Sequence, residues 1–128
     1  MRHVLPFVFA ALLCGLLAPA DAASTINGAW GGSGIARYRH RIDRIVCRVH
    51  FDQVSQKSFR VSALCSTGND RYEESGRVTK AGPNRYSGWV LNTRLNQRGS
   101  VQMTQHGSRL SVGVSSRRGT ANLTLSRR

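Results

Sequence analysis

The sequence predicts an all-β protein: a small antiparallel barrel of about eight short, up-and-down strands, stapled by one disulfide and preceded by a signal peptide. Three observations carry that expectation. Apolar and polar residues alternate along much of the chain, and no long stretch repeats apolar residues at three and four. Gly, Asn, Ser and Pro punctuate it at short intervals. Two cysteines remain once an apolar N-terminal leader is set aside.

The leader comes first. Met1 and Arg2 form a short charged start, Val4 to Leu17 is almost wholly apolar, and Ala20 and Ala22 place small residues where a signal peptidase needs them. The expected cut lies between Ala22 and Ala23, giving a leader over 1–22 and a single domain over 23–128. The apolar run is too short to favour a membrane span, and nothing later in the chain has the length or apolarity for one. Leu13 before Cys14 argues against lipidation, which needs a small residue there. The expected compartment is the periplasm, or the medium beyond it.

Along the mature chain, a first strand is expected from Ile26 to Tyr38, with Gly31-Gly32-Ser33-Gly34 permitting a bend or bulge. Ile45, Cys47, Val49 and Phe51 share one face of the next strand; Phe59, Val61, Ala63 and Cys65 share one face of the third. A hairpin centred on Gln56 sets Gln53 against Phe59, Phe51 against Val61 and Val49 against Ala63. The same register brings Cys47 opposite Cys65, within disulfide reach. In an exported protein such a pair is expected to be oxidised, and closing the loop contributes about 3 kcal/mol. Arg71 to Val78 is a fourth candidate, and Lys80 to Asn84 a turn. Arg85 to Leu91 follows, with Tyr86, Gly88 and Val90 on one side and Trp89 and Leu91 on the other. Asn92 to Arg98 reads as a polar connection, Ser100 to Gln105 as a short strand and His106 to Ser108 as a turn. Leu110, Val112 and Val114 alternate, Ser116 to Gly119 turns, and Ala121, Leu123 and Leu125 close the chain. A meander of this kind loses its exposed edges by closing into a barrel.

The charge is lopsided: 19 Lys and Arg against 6 Asp and Glu give a net charge of +13. Only Lys57 and Lys80 are lysines. Such a surface attracts polyanions in a salt-sensitive way, and guanidinium groups favour bidentate contact with phosphate and carboxylate. The densest stretch is Arg37-Tyr38-Arg39-His40-Arg41-Ile42-Asp43-Arg44. If extended, it lines Arg37, Arg39 and Arg41 along one face; a solvated loop is the plainer alternative. Arg117 and Arg118, with Arg127 and Arg128, offer a second basic patch that barrel closure can bring beside the first.

Gly28-Ala29-Trp30, a Gly-x-Trp at the start of the first strand, resembles the lipocalin and avidin (calycin) pattern. That resemblance implies a Trp closing one end of a barrel with a late Arg packed across it, here Arg127 or Arg128, and a binding cavity. The chain also resembles a set of small exported alphaproteobacterial proteins. The shared features are Trp30-Gly31-Gly32-Ser33-Gly34, Cys47-Arg48, Cys65, Gly88-Trp89 and Leu123-Thr124-Leu125. This second resemblance implies a periplasmic barrel and supplies no activity.

Catalytic signatures are missing from the sequence. His40, His50 and His106 lack metal-ligand spacing, so no metal or cofactor is expected. Glu73 and Glu74 fall on opposite faces of one strand and read as solubilising partners of the arginines rather than as an acid–base pair. No Ser sits in a nucleophile elbow. Trp30, Trp89 and Tyr86 are expected to line a ligand pocket or pack a barrel end, with Trp89 the better pocket or surface candidate because it faces away from Tyr86 and Val90. The expectation is therefore a non-enzymatic exported protein that contacts anionic envelope lipid or glycan through Arg37, Arg39, Arg41, Arg44, Arg117 and Arg118. The alternatives are a calycin-like carrier of a small hydrophobic ligand, and a protein-interaction or inhibitor module with a protein partner. Nucleic acid suits the charge, but export argues against it.

Overall fold

The structure, a computed structural model, describes residues 25–68 and 70–128; the leader expected over 1–22 lies outside them. Eight strands follow one another around a closed antiparallel barrel. They are β1 (Gly28–Tyr38), β2 (Arg41–Gln53), β3 (Ser58–Thr67), β4 (Asp70–Gly82), β5 (Arg85–Asn92), β6 (Gln97–His106), β7 (Arg109–Ser116) and β8 (Gly119–Arg127). Each pairs with its neighbour in sequence, and β1 closes the ring on β8, from Trp30 opposite Arg127 to Tyr38 opposite Gly119. Closure satisfies both backbone edges of every strand, so the barrel presents none for pairing with another chain.

The β2–β3 hairpin takes the expected register: Gln53 opposes Phe59, Phe51 opposes Val61 and Cys47 opposes Cys65. The cysteines are joined in a disulfide, with their Cα atoms 4.1 Å apart. The run from Arg37 to Arg44 is not one extended segment. It folds back at Arg39 and His40, so that Tyr38 opposes Arg41 and Arg37 opposes Ile42. No Gly or Asn marks that turn in the sequence. The strands also reach further than alternation indicated: β5 runs through Asn92 and β6 starts at Gln97, leaving a turn over 93–96. A register irregularity falls between Lys80 and Gly82 on β4 rather than in the glycine-rich part of β1, whose pairing with β2 and β8 is unbroken.

Glycine has a different task there. A Cβ at Gly32 or Gly34 would collide with the β8 carbonyls of Thr124 and Asn122, and one at Gly76 or Gly88 would collide with the facing strand across the β4–β5 pair. These two seams lie on opposite sides of the ring. Strong coiling at both, possible only without a side chain, lets so few strands close.

The interior is unevenly filled. Trp30, Phe51, Phe59, Val78, Tyr86, Met103, Leu110 and Leu125 are buried together at the end where β1 begins. Ile26, just before β1, is fully buried among them. Further along the barrel axis, the inward-facing Val49, Ala63, Val112, Val114 and Ala121 are only partly buried.

Candidate functional site

The packed end is a plug built from the first and last residues of the domain. Trp30 donates its indole N–H to the carbonyl of Ile26 at 2.8 Å, and the Arg127 guanidinium lies 4.5 Å from the Trp30 ring centre. Arg127 also donates to the carbonyls of Asn27, at 3.0 Å, and Thr25. Asn27 in turn accepts the backbone N–H of Gln53 with its side chain, at 2.8 Å. A buried indole needs a polar partner and a cation over its face gains from the ring quadrupole; this arrangement supplies both. Arg127, not Arg128, plays the part the Gly-x-Trp pattern implied. Phe59 and Tyr86 meet edge to face in the same layer, with ring centres 5.8 Å apart. Burial raises the Tyr86 phenol above its ordinary value, and the nearby Arg127 partly offsets this.

Trp30 and Tyr86 thus pack the barrel end. Trp89, the pocket or surface candidate from sequence, takes the surface place: it points outward from β5 and is 38% exposed, with the Arg98 guanidinium 4.3 Å from its ring centre. It takes no part in the barrel interior, because inward and outward residues alternate and Val90 takes the inward place.

The opposite end is open. A cavity of about 620 Å³ lies there, walled by Ala36, Tyr38, Ile45, Tyr72, Glu74, Val90, Asn92, Val114, Ala121 and residues of the surrounding turns. Below it, along the barrel axis, is a small apolar pocket of about 50 Å³ between Val49, Val61, Ala63, Val101, Val112, Leu123 and the disulfide. Glu74, Val90 and Val114 line both spaces, so the two adjoin. The partly buried valines and alanines of the inner wall border this hollow. The disulfide lies in its floor, linking β2 to β3 where the interior has least packing.

Glu74 is the departure from the sequence reading. It was expected to solubilise the surface beside Arg; instead it faces inward on β4 at the junction of the two spaces, and burial holds its carboxyl above the ordinary value of 4.5. Its neighbour Glu73 faces outward and is exposed. The alternation Tyr72, Glu74, Gly76, Val78 carried the signal, since Val78 is unmistakably a core residue and fixes the phase. Above Glu74, Tyr38 and Tyr72 lie close at the rim. Burial, and next the neighbouring Tyr72, raise the Tyr38 phenol above its ordinary value. Tyr72 donates to Asp70 at 3.5 Å and accepts from Thr67 at 3.4 Å.

The arginines divide. Arg41 folds over Tyr38, 5.2 Å from its ring centre, and pairs with Asp43 at 2.9 Å. Arg44 is exposed on the outer face of β2. Arg37, Arg39, Arg117 and Arg118 come together: closure of β1 on β8 sets the β1–β2 turn beside the β7–β8 turn, and the four line one shallow depression of about 670 Å³ on the outside of the rim. Among the described residues no group of three or more His, Cys, Asp or Glu is placed to hold a metal ion.

No family model matches the chain, and no curated protein does. Solved structures do match. A redesigned β-barrel, b11L5F_LGL, superposes with a TM-score of 0.70 at 19% identity, over 84% of this chain and 95% of that one. A second redesigned barrel, mFAP1 bound to DFHBI, gives 0.71 at 14% identity, over 84% and 98%. The natural protein Rv2717c from M. tuberculosis gives 0.58 at 16% identity, over 88% and 99%. At these identities the likeness is one of fold. The chain is a small eight-stranded closed antiparallel barrel.

Proposed function

We propose that this protein is a binding protein that takes a small, largely apolar ligand into the open end of its barrel. One observation carries the reading: the barrel is plugged at the Trp30 end and hollow at the other, where a roomy mouth narrows onto an apolar pocket. Ligand sites are typically concave and mostly apolar, with a few placed polar groups. Here Glu74, Asn92 and the two phenols would be those groups. A redesigned barrel of the same fold is bound to DFHBI, which supports the reading by analogy of architecture. In this reading the chain is exported to the periplasm and carries its ligand unchanged, as a binder and not an enzyme.

The test is titration with an uncharged fluorescent probe such as N-phenylnaphthylamine. Saturable single-site binding is expected. Val114→Trp, which places an indole where the mouth meets the pocket, is expected to weaken it at least about tenfold, a difference of about 1.4 kcal/mol. Ala121→Phe provides a second obstruction if the first variant folds poorly, as judged by its circular dichroism. Probe affinity unchanged in a folded obstructed variant would remove the barrel interior as the site.

A further inference from the structure

We infer that the ligand of this cavity is an amphiphile with an anionic head, a phosphate or carboxylate, gripped by Arg37, Arg39, Arg117 and Arg118 while its apolar part enters the barrel. The inference rests on the proposed ligand-binding reading and names the ligand class.

The first ground is where the four guanidiniums stand. Two come from the β1–β2 hairpin and two from the β7–β8 turn, segments about eighty residues apart that only ring closure brings side by side. All four are exposed, and the depression they line contains no Asp or Glu. Among the described residues none of the four is in an ion pair, whereas their neighbour Arg41 is held by Asp43. Gathered like charges repel, so the cluster opposes the fold that forms it. An anion between the turns would relieve that repulsion, and guanidinium groups present forked donors matched to phosphate or carboxylate oxygens.

The second ground is continuity. Tyr38, Arg39, Arg118 and Gly119 line both the basic depression and the mouth of the cavity. A head seated among the arginines is therefore one rim away from the apolar interior. A tail can pass over the Gly119 edge, where no side chain stands, and down the wall of Ala36, Val114 and Ala121.

The third ground is polarity across the mouth. The wall opposite the basic turns carries Asp70, Tyr72 and Glu74. Arg94 stands on that side too, but only the β8–β1 side gathers four guanidiniums without a carboxylate, so an anionic head is favoured there.

A matched pair of probes separates this inference from the cavity reading. Anilinonaphthalene sulfonate carries an anionic group; N-phenylnaphthylamine has nearly the same rings without one. The anionic probe is expected to bind more tightly at low salt and to weaken as salt rises, while the neutral probe responds little. Arg39→Gln/Arg118→Gln should weaken the anionic probe by about tenfold, consistent with loss of charge-assisted contacts, and leave the neutral probe unchanged. Arg44→Gln/Arg98→Gln, which removes equal charge from the outer barrel wall, should change neither. If the double rim variant binds the anionic probe as the parent does, or if the wall variant weakens it equally, the arginine grip is refuted while the cavity reading stands. If neither probe binds the parent protein, the cavity reading itself fails. Competition distinguishes the sources of the anion. A fatty acid or lysophospholipid should displace the anionic probe at far lower concentration than inorganic phosphate; equal competition by phosphate would make the depression a simple anion site and overturn the amphiphile.

Discussion

At the end of the barrel where β1 begins, the same eight strands turn large side chains inward: Trp30, Phe51, Phe59, Tyr86, Met103 and Leu110 fill the cross-section, and Arg127 ties the indole to the chain entering the domain. At the other end the inward positions hold Ala36, Gly99, Val114 and Ala121, with the polar Tyr72, Glu74 and Asn92 among them. Strand pairing runs through both, with an irregularity between Lys80 and Gly82 at the packed end, so the backbone does not decide which end is open. Side-chain volume does. A barrel of this strand number has an interior just wide enough to fill with side chains or to hold one small ligand; here one end is filled and the other is left hollow. Dense packing and open space are thereby separated along the axis, and the separation can be tested by substitution.

Trp30→Ala is expected to give the largest effect. It removes a fully buried indole, its 2.8 Å hydrogen bond to Ile26 and the face on which Arg127 stacks. Aromatic-to-alanine changes in cores cost about 3–5 kcal/mol, a large part of the stability of so small a domain. Tyr72→Ala at the mouth removes a half-buried side chain bordering empty space, and its expected loss is about 1 kcal/mol or less. Urea denaturation of both variants measures the contrast. Equal losses would mean that the mouth is packed as tightly as the plug.

Loss of the disulfide comes next. Cys47 and Cys65 lie in the floor of the hollow, 18 residues apart in sequence. By loop closure the bond contributes about 3 kcal/mol. Cys47→Ser/Cys65→Ser should lower the urea midpoint by a corresponding amount, and reduction of the parent protein should reproduce most of that shift. A negligible change would show that the β2–β3 hairpin is held by its ladder alone.

These two regions also differ in how far the sequence revealed them. The β2–β3 hairpin was legible because two unrelated requirements, matched apolar faces and opposed cysteines, chose one register. The plug was legible only through the Gly-x-Trp resemblance, since pairing of β1 with β8 leaves no local signal when the partners are about a hundred residues apart. The mouth was read least well. Arg37, Arg39 and Arg41 looked like a stripe because the turn at Arg39 and His40 uses none of the usual turn residues. Trp89 was left between pocket and surface because the phase of Tyr86 and Val90 turns it away from them, and barrel closure makes that side the outside. Glu74 was taken for surface because it stands in an acidic pair and composition hides its phase. For Glu74 a charged pair drew attention away from the alternation of its neighbours, which was the better guide.

The smallest effect expected is also the most specific to the hollow end. Burial raises the Glu74 carboxyl above its ordinary value of 4.5, so the folded protein binds that proton more tightly than the unfolded chain. The resulting contribution to stability is fully present below the ordinary value. It is lost as pH rises from the ordinary value through the raised folded value. Glu74→Gln keeps the shape and removes the charge. The variant is expected to melt slightly higher than the parent at pH 7 and at the same temperature at pH 4, with the modest size reflecting a side chain that is only half-buried. Thermal melts of both proteins at the two pH values measure this directly. A gain of equal size at both would assign the effect to packing or hydrogen bonding at the cavity wall. A loss at pH 7 would mean that the ionised carboxylate is stabilised there, an outcome that would turn the hollow end from an apolar pocket into a cation site.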